Sequence, residues 1–121
     1  MDENQALAAF AGISNQTRLR SVRFLVVAGA DGRSAGAIGE ALGDTSPSRL
    51  SFHLNQLQQS GLIESRREGR SIIYSTCFDR VSDLIVYLIE DCCAGEACIA
   101  SNVQAAADRM LCCAPAASTD A

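Results

Sequence analysis

Lysine and tryptophan are absent from this 121-residue chain, and histidine occurs once, as His53. Without lysine, all ten cationic side chains are arginine. Arginine presents a planar fork of donors that suits phosphate oxygens and guanine edges. A GC-rich coding bias would give the same composition, and both readings stand. Tetrahedral zinc wants four ligands, usually with histidine or a second C-x-x-C pair, and the one histidine stands far from the late cysteine run, which weakens a zinc reading. No run reaches the roughly 20 apolar residues of a membrane-spanning helix. The acidic start Met1-Asp2-Glu3-Asn4 lacks the charged-then-apolar pattern of a secretory leader, so a cytoplasmic location is expected. A net charge of -4 gives no general attraction for nucleic acid, so DNA contact requires a local basic patch. There is no C-x-x-C pair, no glycine-rich anion cradle and no base beside the cysteines, which argues against a thiol enzyme.

Apolar residues make up 48% of the chain and charged ones 20%, the balance of a soluble globular domain. A domain of about 100 residues buries roughly two-thirds of the surface its unfolded chain exposes. It can therefore fold without disulfides. The six cysteines are Cys77, Cys92, Cys93, Cys98, Cys112 and Cys113. Their crowding late in the chain points to free thiols in a reducing compartment rather than to staples across the fold.

Apolar spacing predicts a first helix over residues 5–13 and a second over 16–28, capped from Ser14-Asn15. In the second, Leu19, Val22 and Val26 share one face. A third helix is expected from Ser34 to Leu42, with Ala37, Ile38, Ala41 and Leu42 inward. After the turn Gly43–Pro47 a fourth helix starts with Ser46 as cap and Pro47 in its first turn. Leu50, Leu54 and Leu57 form its apolar stripe, and Ser60-Gly61 closes it. Two β-rich runs, 62–67 and 71–76, flank Glu68-Gly69-Arg70 and read as a hairpin. Helical spacing returns over 79–93 with a broad stripe at Val81, Leu84, Ile85, Leu88 and Ile89, suited either to the core or to a partner subunit. Beyond Cys98 the chain is Ala-rich, with a marginal helix over Val103–Cys113 and a frayed end from Pro115. The expected division is a domain at 1–100 and a tail at 101–121.

Two short helices, a turn, a polar-faced helix and a hairpin make a winged helix-turn-helix, a mainly α fold with a β-hairpin wing. The start of the fourth helix would reach base edges in the major groove. Ser46, Ser48, Arg49 and Ser51 lie there, and the wing adds Arg66, Arg67 and Arg70 for phosphates or the minor groove. Residues 46–76 hold four Arg against two Glu, a locally positive stretch in a negative chain. A solvated charged hairpin is the competing reading of the wing.

Several runs carry a resemblance: Asn15-Gln16-Thr17-Arg18-Leu19-Arg20, Leu50-Ser51-Phe52-His53-Leu54, Ser60-Gly61-Leu62-Ile63 and Arg66-Arg67-Glu68-Gly69-Arg70 with Tyr74. In order and spacing they resemble the ArsR/SmtB family of bacterial metal-responsive repressors, over about residues 5–93. The resemblance implies a homodimer on double-stranded operator DNA, with first and last helices at the dimer interface and release on inducer binding. His53 fits the family's His-Leu pair in the DNA-reading helix, as a phosphate contact or as a surface residue holding local structure.

Many arsenic-responsive members carry two cysteines, one residue apart, at the start of the third helix. Ser34 and Gly36 occupy those positions here, so that site is absent. The run Cys92-Cys93-Ala94-Gly95-Glu96-Ala97-Cys98 offers another. Three thiolates are the natural donor set for As(III) or Sb(III), soft centres that thiolate-only sites select over hard cations. Neighbours on a helix diverge by about 100°, so Cys92 and Cys93 meet on one ion only where a helix ends. Gly95 supplies that ending and Cys98 the third bond. A subset of the family resembles this arrangement, with a Cys-Cys pair and a third cysteine past the last helix. Cys77 reads as a packed small hydrophobe. The expected function is an arsenite-responsive repressor; a thiol redox-responsive repressor of the same fold is the alternative.

Overall fold

A computed structural model describes residues 1–43, 45–90 and 97–113, with 97, 98 and 111–113 described by their backbone alone. The chain forms two compact units, Met1–Ile85 and Val86–Ala121.

The first unit is built on helices that start where the sequence supplies a cap. Helix α1 is Glu3–Ile13. The Asp2 carboxylate accepts from Gln5 N at 2.7 Å, while Asp2 N donates to Gln5 Oε1 at 2.9 Å. This reciprocal pair satisfies two donors at the helix start. Helix α1 buries only small residues, Ala6, Ala9 and Gly12. A Cβ at Gly12 would lie 2.6 Å from Ser60 Cβ, closer than packed carbons allow, so α1 approaches α4 closely at that point.

Helix α2, Gln16–Ala28, is capped by Asn15, as its sequence predicts. Its inward face differs from the expected one. Ser21, Val22 and Leu25 are buried, whereas Leu19 and Val26 are 45% and 43% exposed. The helix is apolar on more than one side, and spacing alone does not say which side meets the core. A 3-10 turn, Gly29–Asp31, leads to the two-residue strand β1, Arg33–Ser34, and then to α3, Ala35–Leu42. Strand β1 is too short to show an alternation and was read in the sequence as loop and helix start. In α3, Ile38 is fully buried, but Ala41 is exposed rather than inward.

Helix α4 is Pro47–Ser60, with Ser46 as N-cap and Gly61 as a left-handed C-cap. Leu50, Leu54 and Leu57 are buried on one stripe, and Leu25 of α2 and Ile38 of α3 are buried with them in the core. Strands β2, Ile63–Glu68, and β3, Ser71–Thr76, form the antiparallel wing, from Ile63 opposite Thr76 to Glu68 opposite Ser71. Gly69, at φ 64°, opens the two-residue loop between them, the position where such a hairpin favours glycine. Strand β1 adds to the other edge of β3, giving the order β1-β3-β2.

Helix α5 spans Phe78–Ile89 and buries Leu84, while Ile85 and Leu88 remain 48% and 63% exposed. It ends four residues before the expected 93. The acidic pair Glu90-Asp91 follows, and negative charge at a helix C-terminus opposes the macrodipole. Helix α6, Ala97–Cys113, starts six residues before the expected Val103 and runs continuously across residue 100. Its alanines favour helix without needing an apolar stripe. No helix among the described residues is long and apolar enough to cross a membrane.

Candidate nucleic-acid interface

With its leucine stripe turned inward, α4 leaves Ser48, Arg49, Ser51, Phe52 and Asn55 exposed. Ser46 Oγ accepts from Arg49 N at 3.3 Å, so this hydroxyl is occupied in starting the helix. Arg49 is a cation in the first turn, where the helix dipole disfavours positive charge by roughly 0.3–1 kcal/mol. A nearby anion would reverse that penalty. The exposed aromatic face of Phe52 offers apolar contact of the kind a thymine methyl accepts.

His53 faces a different neighbour. Arg18 Nη1 lies 3.1 Å from His53 Nδ1, and Arg18 Nε donates to the Gly12 carbonyl at 2.6 Å. One guanidinium thus joins the end of α1 to the middle of α4. Burial pushes the His53 pKa below the usual imidazole value, and the charges of Arg18 and Arg49 push the same way. The Phe52 and His53 rings meet edge to face at 5.5 Å.

The three wing arginines divide. Arg67 and Arg70 are exposed. Arg66 is tied down: Nη2 donates to the Asp31 carbonyl at 2.6 Å, Nη1 to Ala30 at 3.4 Å, and Nε pairs with Glu68 at 2.6 Å. The sequence assigns Arg66 to DNA; in the structure this exposed side chain also fastens the wing to the 3-10 turn. One role is not visible in the sequence, Arg18 as a tie; Phe52 lies on the surface of α4, as the sequence pattern places it.

Of the proposed inducer ligands, Cys92 and Cys93 lie outside the described residues, and Cys98 falls in the first turn of α6. Cys112 stands 14 positions further along that helix. At about 1.5 Å per residue this is roughly 21 Å, too far for Cys98 and Cys112 of one chain to share an ion. Ser34, at the family's other cysteine position, caps α3 through Ala37 N at 3.2 Å. Cys77 lines a polar cleft with Glu64, Thr76 and Asp79, where burial and the Glu64 carboxylate push its thiol pKa up. No group of three or more metal-binding side chains forms among the described residues.

Comparison with known proteins agrees with this geometry. Residues 7–66 match the helix-turn-helix domain family. The regulator YgaV of Escherichia coli K12 is 33% identical over 84 residues, covering 69% of this chain and 82% of that protein. A probable mercury resistance operon repressor of Streptomyces lividans is 31% identical over 77 residues, or 64% of this chain. The match spans only 58% of that repressor's length. An ArsR-like transcriptional regulator from Rhodococcus sp. RHA1 superposes with a TM-score of 0.60 at 26% identity, over 90% of this chain and 88% of that one. The homodimeric winged helix-turn-helix domain of a possible ArsR-family regulator from Mycobacterium bovis gives 0.58 at 28%, over 74% and 81%. The chain is a transcriptional regulator of the ArsR family.

Proposed function

We propose that the protein is an arsenite-responsive repressor, cytoplasmic and homodimeric, that leaves its operator when As(III) or Sb(III) binds Cys92, Cys93 and Cys98. The observation that carries this reading is the C-C-x4-C run just past α5, in a chain whose α3 cysteine positions hold Ser34 and Gly36. A thiophilic signal also suits the likeness to a mercury resistance repressor. Thiolates alone select such soft ions.

Dimerisation is supported by apolar side chains left uncovered on α1 and α5, Leu7 at 58% and Ile85 at 48% exposure, and by the homodimeric relative. Two DNA-reading helices would then meet half-sites one helical turn apart. Ser48, Arg49 and Ser51 would read the groove, while Arg67 and Arg70 would hold the backbone. An ion bound just past α5 would reorder the end of a dimer helix and change the spacing of the two α4 helices. Linkage requires DNA to weaken ion binding by the same factor, with a typical coupling of about 1–3 kcal/mol.

Fluorescence anisotropy of a labelled operator duplex, titrated with arsenite, tests this. Release by arsenite that disappears in each of Cys92→Ser, Cys93→Ser and Cys98→Ser is expected. Release that survives all three substitutions overturns the site. Release by peroxide, reversed by a thiol reductant and indifferent to arsenite, replaces the metalloid reading with a redox one.

A further inference from the structure

The chain's one histidine sits on the helix that faces DNA, yet its Nδ1 is turned to a cation. A guanidinium carries only donors. The 3.1 Å contact between Arg18 Nη1 and His53 Nδ1 therefore forms only if Nδ1 offers its lone pair. That requires the neutral ring with its proton on Nε2. From α1, the Gly12 carbonyl accepts from the same guanidinium at 2.6 Å.

We infer that Arg18 is a positioning residue: it holds His53 as the neutral Nε2–H tautomer, locks the DNA-reading helix to the end of α1, and lets go when the imidazole is protonated. The inference rests on the reading of α4 as the DNA-contacting helix. The charged groups that act on the ring are Arg18 from α2 and Arg49 from its own helix. From α1 it meets only a carbonyl, through Arg18. Protonation would turn Nδ1 into a donor facing a donor and place three cations together. The tie then breaks, and α4 loses its bond to α1 while the leucine stripe still holds it in the core. Acid thus acts on DNA preference without passing through the cysteines.

Because His53 is the only histidine, its ring nitrogens can be followed by NMR in the full chain without assignment. The neutral form should show the Nε2–H tautomer, and Arg18→Met should scramble it and raise the titration midpoint. A Nδ1–H ring, or a midpoint unmoved by Arg18→Met, overturns the inference. The functional arm uses a duplex selected by the protein from a random library, read against unrelated DNA. From about pH 7.5 to about pH 5.5 the preference for the selected duplex should fall about tenfold, the scale of one hydrogen bond to a charged group. The ratio cancels the general gain in DNA attraction from one added charge. His53→Asn keeps an acceptor near the Nδ1 position and cannot titrate, so its preference should stay flat. An equal acid loss in His53→Asn overturns the inference. Failure to select any duplex at neutral pH sinks the DNA-reading assignment instead, while the DNA-free NMR arm still decides the tie.

Discussion

Gly12→Ala is the sharpest test of how α1 meets α4. The added methyl would sit 2.6 Å from Ser60 Cβ and 2.7 Å from Ser60 Oγ. Ser60 cannot easily retreat, since its hydroxyl donates to the Leu57 carbonyl at 2.6 Å and its side chain is buried. Overpacking of this kind costs about 1–3 kcal/mol. Replacing a helical glycine by alanine returns up to about 1 kcal/mol through helix propensity. The net expectation is a loss of about 1–2 kcal/mol. At roughly 4–8 °C per kcal/mol for a domain of this size, the melting temperature should fall visibly. Urea denaturation followed by circular dichroism gives the energy directly. The double variant Gly12→Ala with Ser60→Gly should lose less than the sum of the two single losses, because each relieves the other's fault. If Gly12→Ala proves as stable as the parent, or the losses simply add, the close approach of α1 to α4 is wrong.

Three further outcomes are expected. The folded pKa of His53 lies below its unfolded value, so its share of stability is present above about pH 6.5 and is lost as pH falls through the folded pKa; thermal melts should show an acid loss that His53→Asn lacks. Arg67→Ala and Arg70→Ala should each lower the salt slope of operator binding by about one, whereas Arg66→Ala should loosen the wing, read by hydrogen exchange in β2, and leave the slope nearly unchanged. The raised Cys77 pKa keeps this thiol protonated, so at about pH 8 it should react with iodoacetamide more slowly than a free cysteine of ordinary pKa.

What the sequence disclosed about this fold depended on how local each signal is. Helix α4 was legible almost to the residue, because Ser46, Pro47 and Gly61 mark its ends and Leu50, Leu54 and Leu57 its face. The hairpin was legible from two β-rich runs around Gly69. Strand β1 was not, since two residues have no period and its existence depends on β3, some forty positions on. The buried face of α2 was misread because Leu19 and Val26 are as apolar as Val22 and Leu25. The roles of Arg66 and Arg18 were hidden for a similar reason. Their partners Asp31 and His53 lie 35 residues away in sequence, and an arginine looks the same whether it will meet a phosphate, a carbonyl or an imidazole. The cysteine run was conspicuous by composition alone, and Cys92 and Cys93 lie outside the described residues.

The contact between α1 and α4 has one more consequence. The residues α1 buries are Ala6, Ala9 and Gly12, which have no rotamers to change, and Gly12 is the one that meets Ser60 of α4. A seam lined by long side chains absorbs a small displacement by repacking, as a soft cushion would. A glycine backbone resting on the short, hydrogen-bonded side chain of Ser60 has little such compliance. A shift imposed on α1 at a subunit boundary would therefore reach α4 nearly undiminished, with the two helices moving as one stiff lever. Sensitivity to a small movement at the far end is then a matter of mechanical rigidity, set by three residues too small to yield.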